Sequence, residues 1–221
     1  MTTMTNLKIV QTDLPPGFID LGMGNPDPSL LPLELLRSSS AAFFARKDVR
    51  PLHYGAEQGD SYFRRDLAGF LTGAYKLPVD PESLFITAGA SSGLDLICTL
   101  FTRPGDVIFV EEPSYFLALR IFEDHGLKVV SIPMDEDGLC VKDLEKQIIE
   151  FQPKLIYVIP THQNPSGRTL TQERREKLVA MARRTNVLIV ADEVYHFLDF
   201  SGSQPQPLAA FCENEEQVIS V

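Results

Sequence analysis

Residues 154–192 read KLIYVIPTHQNPSGRTLTQERREKLVAMARRTNVLIVAD, and the fold turns on how they divide. KLIYVIP (154–160) is a short apolar run closed by a proline, the pattern of a buried strand. NPSG (164–167) is a turn signal in its own right. TQERREKLVAMARR (171–184) reads as a helix with Thr171 in the N-cap place. VLIVAD (187–192) is a second apolar strand that ends on a carboxylate. A strand, a turn, a helix of more than ten residues and another strand make a βαβ unit, whose strands are parallel and covered on both faces.

The same alternation extends outward on both sides. LFIT (84–87) reads as a strand, SSGLDLICTLF (91–101) as a helix, DVIFVE (106–111) as a strand and YFLALRIFEDHG (115–126) as a helix ended by Gly126. KVVSIPM (128–134) is a strand and VKDLEKQIIE (141–150) a helix. Beyond a loop around Pro205 and Pro207, QVISV (217–221) is again strand-like. Towards the N-terminus, SYFRRDLAGFLTGAY (61–75) is an amphipathic helix, and LPLELLRSSSAAFFARK (31–47) is a second candidate helix. The stretch 13–32 is dense in Pro and Gly and is expected to be extended and turn-rich. The expectation is an α/β fold: a mostly parallel sheet with helices on both faces. Residues 1–50 show little regular pattern before the candidate helix at 31–47, and the regular alternation lies within residues 51–221.

A formal net charge of -10, from 30 acidic and 20 basic residues, argues against a nucleic-acid partner, because the basic residues form no stripe. The Arg-Arg pairs at 64–65, 174–175 and 183–184 read as solvated helix faces. Cys98, Cys140 and Cys212 are odd in number and show no metal-ligand spacing, as expected of thiols in a reducing compartment. No signal peptide or membrane-spanning run is apparent, so the expected location is cytoplasmic.

In open parallel sheets, ligands gather at the carboxyl ends of the strands. Four strand ends here carry usable chemistry. AGASSG (88–93) allows a tight turn at Gly89 and points the N–H groups of Ala90, Ser91 and Ser92 from a helix start, which suits a phosphate; a plain small-residue turn is the competing reading. Tyr115, after Pro113, can stack on a flat ring or simply pack at a helix start. Asn164 offers a two-way amide, while His162 beside it is taken as structural. Asp192 follows five apolar residues, and a buried carboxylate needs a cation or strong donors unless it only caps a short helix.

Taken together, YGAEQGDSYFRRDLAGFL, ITAGASSGLDL, VEEPSYFLAL, IPTHQNPSGRTLTQERREKL and LIVADEVYHFLDF resemble the class I/II aminotransferases of pyridoxal 5'-phosphate (PLP) fold type I, in order and spacing along residues 20–221. The resemblance implies an enzyme that moves an amino group between an amino acid and a 2-oxo acid, acting as a homodimer. It places the PLP phosphate at Ala90 and Ser91, the ring against Tyr115, and the ring's phenolic oxygen at Asn164 and Tyr195. It pairs Asp192 with the protonated ring nitrogen, a contact worth roughly 1.5–3 kcal/mol. It brings Tyr54 to the phosphate of the partner subunit, and gives Gly24 and Asn164 contacts with the substrate. Asp192 and Tyr195 are the catalytic candidates; no metal is implied.

One departure from the family pattern is large. The Schiff-base lysine of these enzymes follows the strand that QVISV resembles, and none of the lysines here sits at an equivalent place. The expectation is therefore a truncated chain, inactive alone. Two other readings stand beside it: another PLP reaction on the same fold, such as β-elimination, or a non-catalytic PLP-binding fragment. The aminotransferase-like half of a transcription regulator is disfavoured, because residues 1–50 are too short and too rich in Pro and Gly for a helix-turn-helix domain.

Overall fold

The computed structural model describes residues 17–19, 24, 26–142, 144–198, 202, 205–212 and 217–221. Most of the turn-rich stretch 13–23 and much of the loop before Pro205 lie outside these residues. The contacts divide the chain into two units, Met1–His53 and Tyr54–Val221.

Among its described residues the N-terminal unit contains one α-helix, α1 (Leu33–Ala45). A short 3-10 turn, Pro28–Leu30, precedes it, and the Asp27 carboxylate accepts the Ser29 N–H there at 2.8 Å.

The second unit carries five helices among its described residues: α2 (Ser61–Tyr75), α3 (Ala90–Phe101), α4 (Phe116–Asp124), α5 (Leu144–Phe151) and α6 (Gln172–Thr185). Its strands are β1 (Val107–Glu112), β2 (Lys128–Asp135), β3 (Gly138–Leu139), β4 (Leu155–Val158), β5 (Leu188–Ala191) and β6 (Val218–Ser220). They form one sheet in the order β3-β2-β1-β4-β5-β6, parallel except for the short β2–β3 hairpin. The βαβ reading of residues 154–192 is borne out: β4 and β5 pair in parallel, from Leu155 against Leu188 to Val158 against Ala191.

Side chains alternate across the pleat, so each strand feeds two cores. On one face Phe109, Ile156, Val158 and Ile189 pack against Leu144 and Ile148 of α5 and Leu178 and Met181 of α6. On the other, Ile108, Val110, Leu155, Tyr157 and Val190 pack against Leu94 and Ile97 of α3 and Ala118 and Phe122 of α4. Burial on both faces explains why these strands read as unbroken apolar runs.

Two expectations need correction, and a third, Thr171 at the N-cap of α6, holds by position. LFIT (84–87) is not a strand: it pairs with no described strand, and its backbone N–H bonds run from Leu84 to the Pro81 carbonyl at 3.2 Å and from Ile86 to the Gln58 carbonyl at 2.9 Å. A four-residue apolar run can be extended without a ladder, and Phe85 faces solvent. Thr171 does occupy the N-cap position of α6, but its side chain makes no capping hydrogen bond.

The arginine pairs are not simply solvated faces, for Arg64 and Arg175 are buried while Arg65 is exposed. Backbone carbonyls supply the partners that make this burial tolerable. Arg64 donates to Pro81 O at 2.8 Å, and Arg175 donates to Leu170 O, Gln206 O, Pro160 O and Thr161 Oγ1 at 2.5 to 3.0 Å.

Candidate active site

Because β1, β4 and β5 run in parallel, their carboxyl ends open on the same edge of the sheet. The chain order reverses between β1 and β4: β2 continues to one side and β5 and β6 to the other. Such a reversal leaves a crevice where the following loops part in opposite directions. A cleft of about 210 Å³ lies there, lined among others by Gly89, Ala90, Ser91, Tyr115, Asn164, Asp192 and Tyr195. Wider grooves occur between α5 and α6, but those are shallow and edged by exposed Glu145, Lys146 and Lys177.

Each wall follows from local structure. Gly89 stands at the N-cap of α3 with φ +87 and ψ 169, a conformation that essentially only glycine adopts. A Cβ there would meet nothing within 4 Å, so backbone freedom and not space is what the turn requires. No side chain caps α3, which leaves the first-turn N–H groups and the positive end of the helix dipole facing the cleft. Tyr115 is in the N-cap position of α4, extended and half-buried at the lip. The turn after β4 holds Asn164, whose Nδ2 donates to the Tyr195 hydroxyl at 3.3 Å. Tyr195 itself sits in the turn that follows β5.

Asp192 is 7 % exposed. Its Oδ2 accepts the Tyr157 hydroxyl at 2.7 Å and its Oδ1 the Val194 N–H at 3.4 Å. Burial raises its carboxyl above the ordinary carboxylate range, and those two donors pull the other way. The capping alternative does not describe it, because the residues after it form a turn and not a helix. A buried carboxylate held by a phenol and one N–H, with no basic side chain among the described groups acting on it, is a place for a cationic ligand atom.

The structure therefore brings Ala90, Ser91, Tyr115, Asn164, Asp192 and Tyr195 to one cleft. It does not bring Tyr54, which is fully exposed at the start of the second unit. Gly24 belongs to the other unit, and nothing lies within 4 Å of where its Cβ would be. The His162 backbone N–H donates to Thr169 Oγ1 at 3.1 Å, and its ring Nε2 is buried with no hydrogen-bond partner among the described residues.

Several residues beneath the cleft went unnoticed in the sequence. Tyr157 supplies the shortest bond to Asp192. Glu111 is 1 % exposed and accepts the Ile159 N–H at 2.9 Å. Gln163 donates to Pro113 O at 2.8 Å and accepts the Ser166 N–H at 2.9 Å. Glu193 accepts the Leu208 N–H at 2.9 Å, and the Arg175 charge acts on it from below. The signal for Glu111 and Glu193 was available: Glu111 closes the apolar run of β1, and Glu193 follows Asp192 just past the end of β5.

The family model for aminotransferase class I and II matches residues 16–221. Among curated relatives, aromatic-amino-acid aminotransferase 1 of Thermococcus litoralis is 34% identical over 218 residues, covering 96% of this chain and 51% of that protein. An uncharacterized HTH-type transcriptional regulator of Bacillus subtilis, YisV, is 30% identical over 194 residues, covering 87% of this chain and 39% of its own length. Among solved structures, a Pyrococcus horikoshii kynurenine aminotransferase, in complex with PMP, KYN as substrates and KYA as products, superposes with a TM-score of 0.81 at 32% identity. It is covered over 50% of its length by 90% of this chain. The chain thus spans about half the length of these aminotransferases, and matches them in fold and over nearly all of its own residues. It belongs to the class I and II aminotransferase family.

Proposed function

We propose that the cleft holds PLP and that the complete protein transfers an amino group between an amino acid and a 2-oxo acid. The observation that carries this reading is the buried Asp192 at the switch-point crevice, facing the same cleft as an uncapped helix start and two aromatic hydroxyls. The residues fit the group. The bare N–H groups at Ala90 and Ser91 suit a phosphate, Tyr115 offers a ring face, and Asn164 and Tyr195 offer donors to a phenolic oxygen. Asp192 supplies the anion for a protonated ring nitrogen, and the Tyr157 hydroxyl and Val194 N–H keep that anion aimed. When bound, PLP supplies an electron sink for a substrate carbanion. The chain's part is to hold the ring nitrogen cationic through Asp192, to orient the ring through Tyr115, and to exclude water with Leu94, Ala118 and Ile159 along the wall.

A cytoplasmic location rests on the sequence reading alone. Homodimerisation, the phosphate contact of Tyr54 across the dimer and the substrate contact of Gly24 rest on the resemblance alone. So does the division into an arm and small-domain segment, 1–50, and a PLP domain, 51–221. A second reading is favoured by the match to YisV: the same PLP-binding half serving a regulator. The complete protein, incubated with PLP, a panel of amino acids and 2-oxoglutarate, should form glutamate in proportion to oxo acid consumed. Ammonia release without glutamate would instead indicate elimination chemistry. PLP binding with neither product, together with retention on a promoter-length DNA, would indicate the regulator.

A further inference from the structure

One acidic side chain stands in the seam where the strand order reverses. Glu111, in β1, sends its Oε2 across to the Ile159 N–H at 2.9 Å, just past the last residue of β4. The Gln163 amide faces the same carboxyl from the loop after β4. Gln163 in turn bonds Pro113 O, two residues before Tyr115, and the Ser166 N–H, two residues after Asn164. Glu111 and Gln163 thus tie together both arms of the crevice, the one that carries Tyr115 and the one that carries Asn164.

The titratable groups that act on Glu111 are Asp192, from the end of β5, and Tyr157, from β4. The loop contributes only the neutral amide of Gln163, and β2 places Ile132 opposite Glu111 in register. No basic side chain among the described residues acts on it. Two carboxylates in one dry seam, with no cation between them, do not both ionise. Each acid has two donors, the Tyr157 hydroxyl and Val194 N–H for Asp192 and the Ile159 N–H and Gln163 amide for Glu111. But Asp192 lines the open cleft and is 7 % exposed while Glu111 is 1 % exposed, so Asp192 has the better claim to the charge. Burial first, and then the Asp192 charge, push the Glu111 carboxyl up to about 8. Oε2 is engaged with Ile159, which leaves Oε1 to carry the proton.

We infer that Glu111 is a positioning residue that works as a neutral acid: it locks the ends of β1 and β4 and the Asn164 loop while leaving Asp192 the sole anion for a ring nitrogen. The inference about Asp192's ligand rests on the PLP reading; the inference about Glu111's charge does not.

The experiment compares the full chain with Glu111→Gln and Glu111→Ala. In the PLP-free protein, urea unfolding is followed from pH 5 to 9. A carboxyl raised in the folded state adds stability that is complete below its unfolded value, 4.5, and is lost as pH rises through about 8. Relative to Glu111→Gln, which stays neutral and keeps an acceptor for Ile159, the wild-type unfolding constant should therefore climb towards about tenfold per pH unit within that window. PLP affinity at neutral pH, read by fluorescence quenching, should differ little between wild type and Glu111→Gln. It should fall about tenfold or more in Glu111→Ala, where the Ile159 N–H is left without its partner. Parallel wild-type and Glu111→Gln stability profiles would overturn the inference, as would a Glu111→Gln variant that binds PLP as poorly as Glu111→Ala. A wild-type chain that binds no PLP would overturn the cofactor reading, while the PLP-free profiles would still decide the charge on Glu111.

Discussion

Replacing Arg175 by methionine keeps most of the side-chain volume and removes a guanidinium that is wholly buried. That group donates to three backbone carbonyls and one hydroxyl, and it holds the 160–170 loop against the segment at Gln206. The loss is uneven. Pro160 O keeps the Leu170 N–H at 2.9 Å, and the Thr161 hydroxyl can turn. Leu170 O is left as an orphaned buried group at about 1–3 kcal/mol, while Gln206 O, on an exposed residue, loses a charged donor that water can replace in part. Glu193 loses the nearest positive charge acting on it. The total should fall at about 3–5 kcal/mol, the usual cost of breaking a buried charged network by removing one member. Against a total stability of about 5–15 kcal/mol, that is a large fraction. Urea unfolding should show the midpoint falling with the slope unchanged. Arg175→Lys should do nearly as badly, because an ammonium cannot reach four acceptors in a fork. A loss below about 1 kcal/mol in Arg175→Met would refute the reasoning and reduce Arg175 to a filler of volume.

Asp192→Asn keeps an acceptor for the Tyr157 hydroxyl but removes a desolvated charge, so the PLP-free chain should unfold at the same or higher urea concentration; in the complete protein Asp192→Ala should cut turnover far more than PLP affinity, and near-normal amino transfer would sink the ring-nitrogen role. Gly89→Ala should cost about 1–3 kcal/mol from backbone strain alone, since the site has room for the methyl group; an unchanged thermal midpoint would show that the turn relaxes freely. His196 is 1 % exposed, and burial pulls its imidazole down to about 4 from 6.5. A base depressed on folding contributes stability that is present above pH 6.5 and lost as pH falls towards 4. His196→Gln should therefore flatten the acid limb of the stability profile, and an unchanged limb would show that the ring is protonated in place.

The helices and the central strands were legible because burial writes a period into the chain. SYFRRDLAGFLTGAY is α2 residue for residue, and the runs 107–110 of β1, 155–158 of β4 and 188–191 of β5 are apolar because helices cover both faces. LFIT failed because a strand is a pairing and not a composition: four apolar residues say nothing about whether a neighbour is present to bond them. The hairpin strand Gly138–Leu139 was missed for the converse reason, being too short to show any alternation.

The cleft was legible one strand end at a time, since a functional residue that follows a buried strand interrupts an apolar run and is conspicuous. What lies under those residues is not written that way. Tyr157 is an aromatic within an apolar run and looks like core until its hydroxyl is found on Asp192. Arg175 sits beside Arg174 on the same helix, and nothing in the pair says which of them turns inward. Glu111 and Gln163 are 52 positions apart in the chain and meet only because the strand order reverses between β1 and β4. A rule does follow from Asp192, and it reaches Glu111 and Glu193 as well. An acid adjoining an unbroken apolar strand is committed to burial before any ligand is known, so its charge must be answered from inside the protein, by a ligand, or by a proton. Here the two acids of the seam divide those answers: Asp192 has donors from Tyr157 and Val194 and faces the cleft, and Glu111, with no cation in reach, keeps its proton.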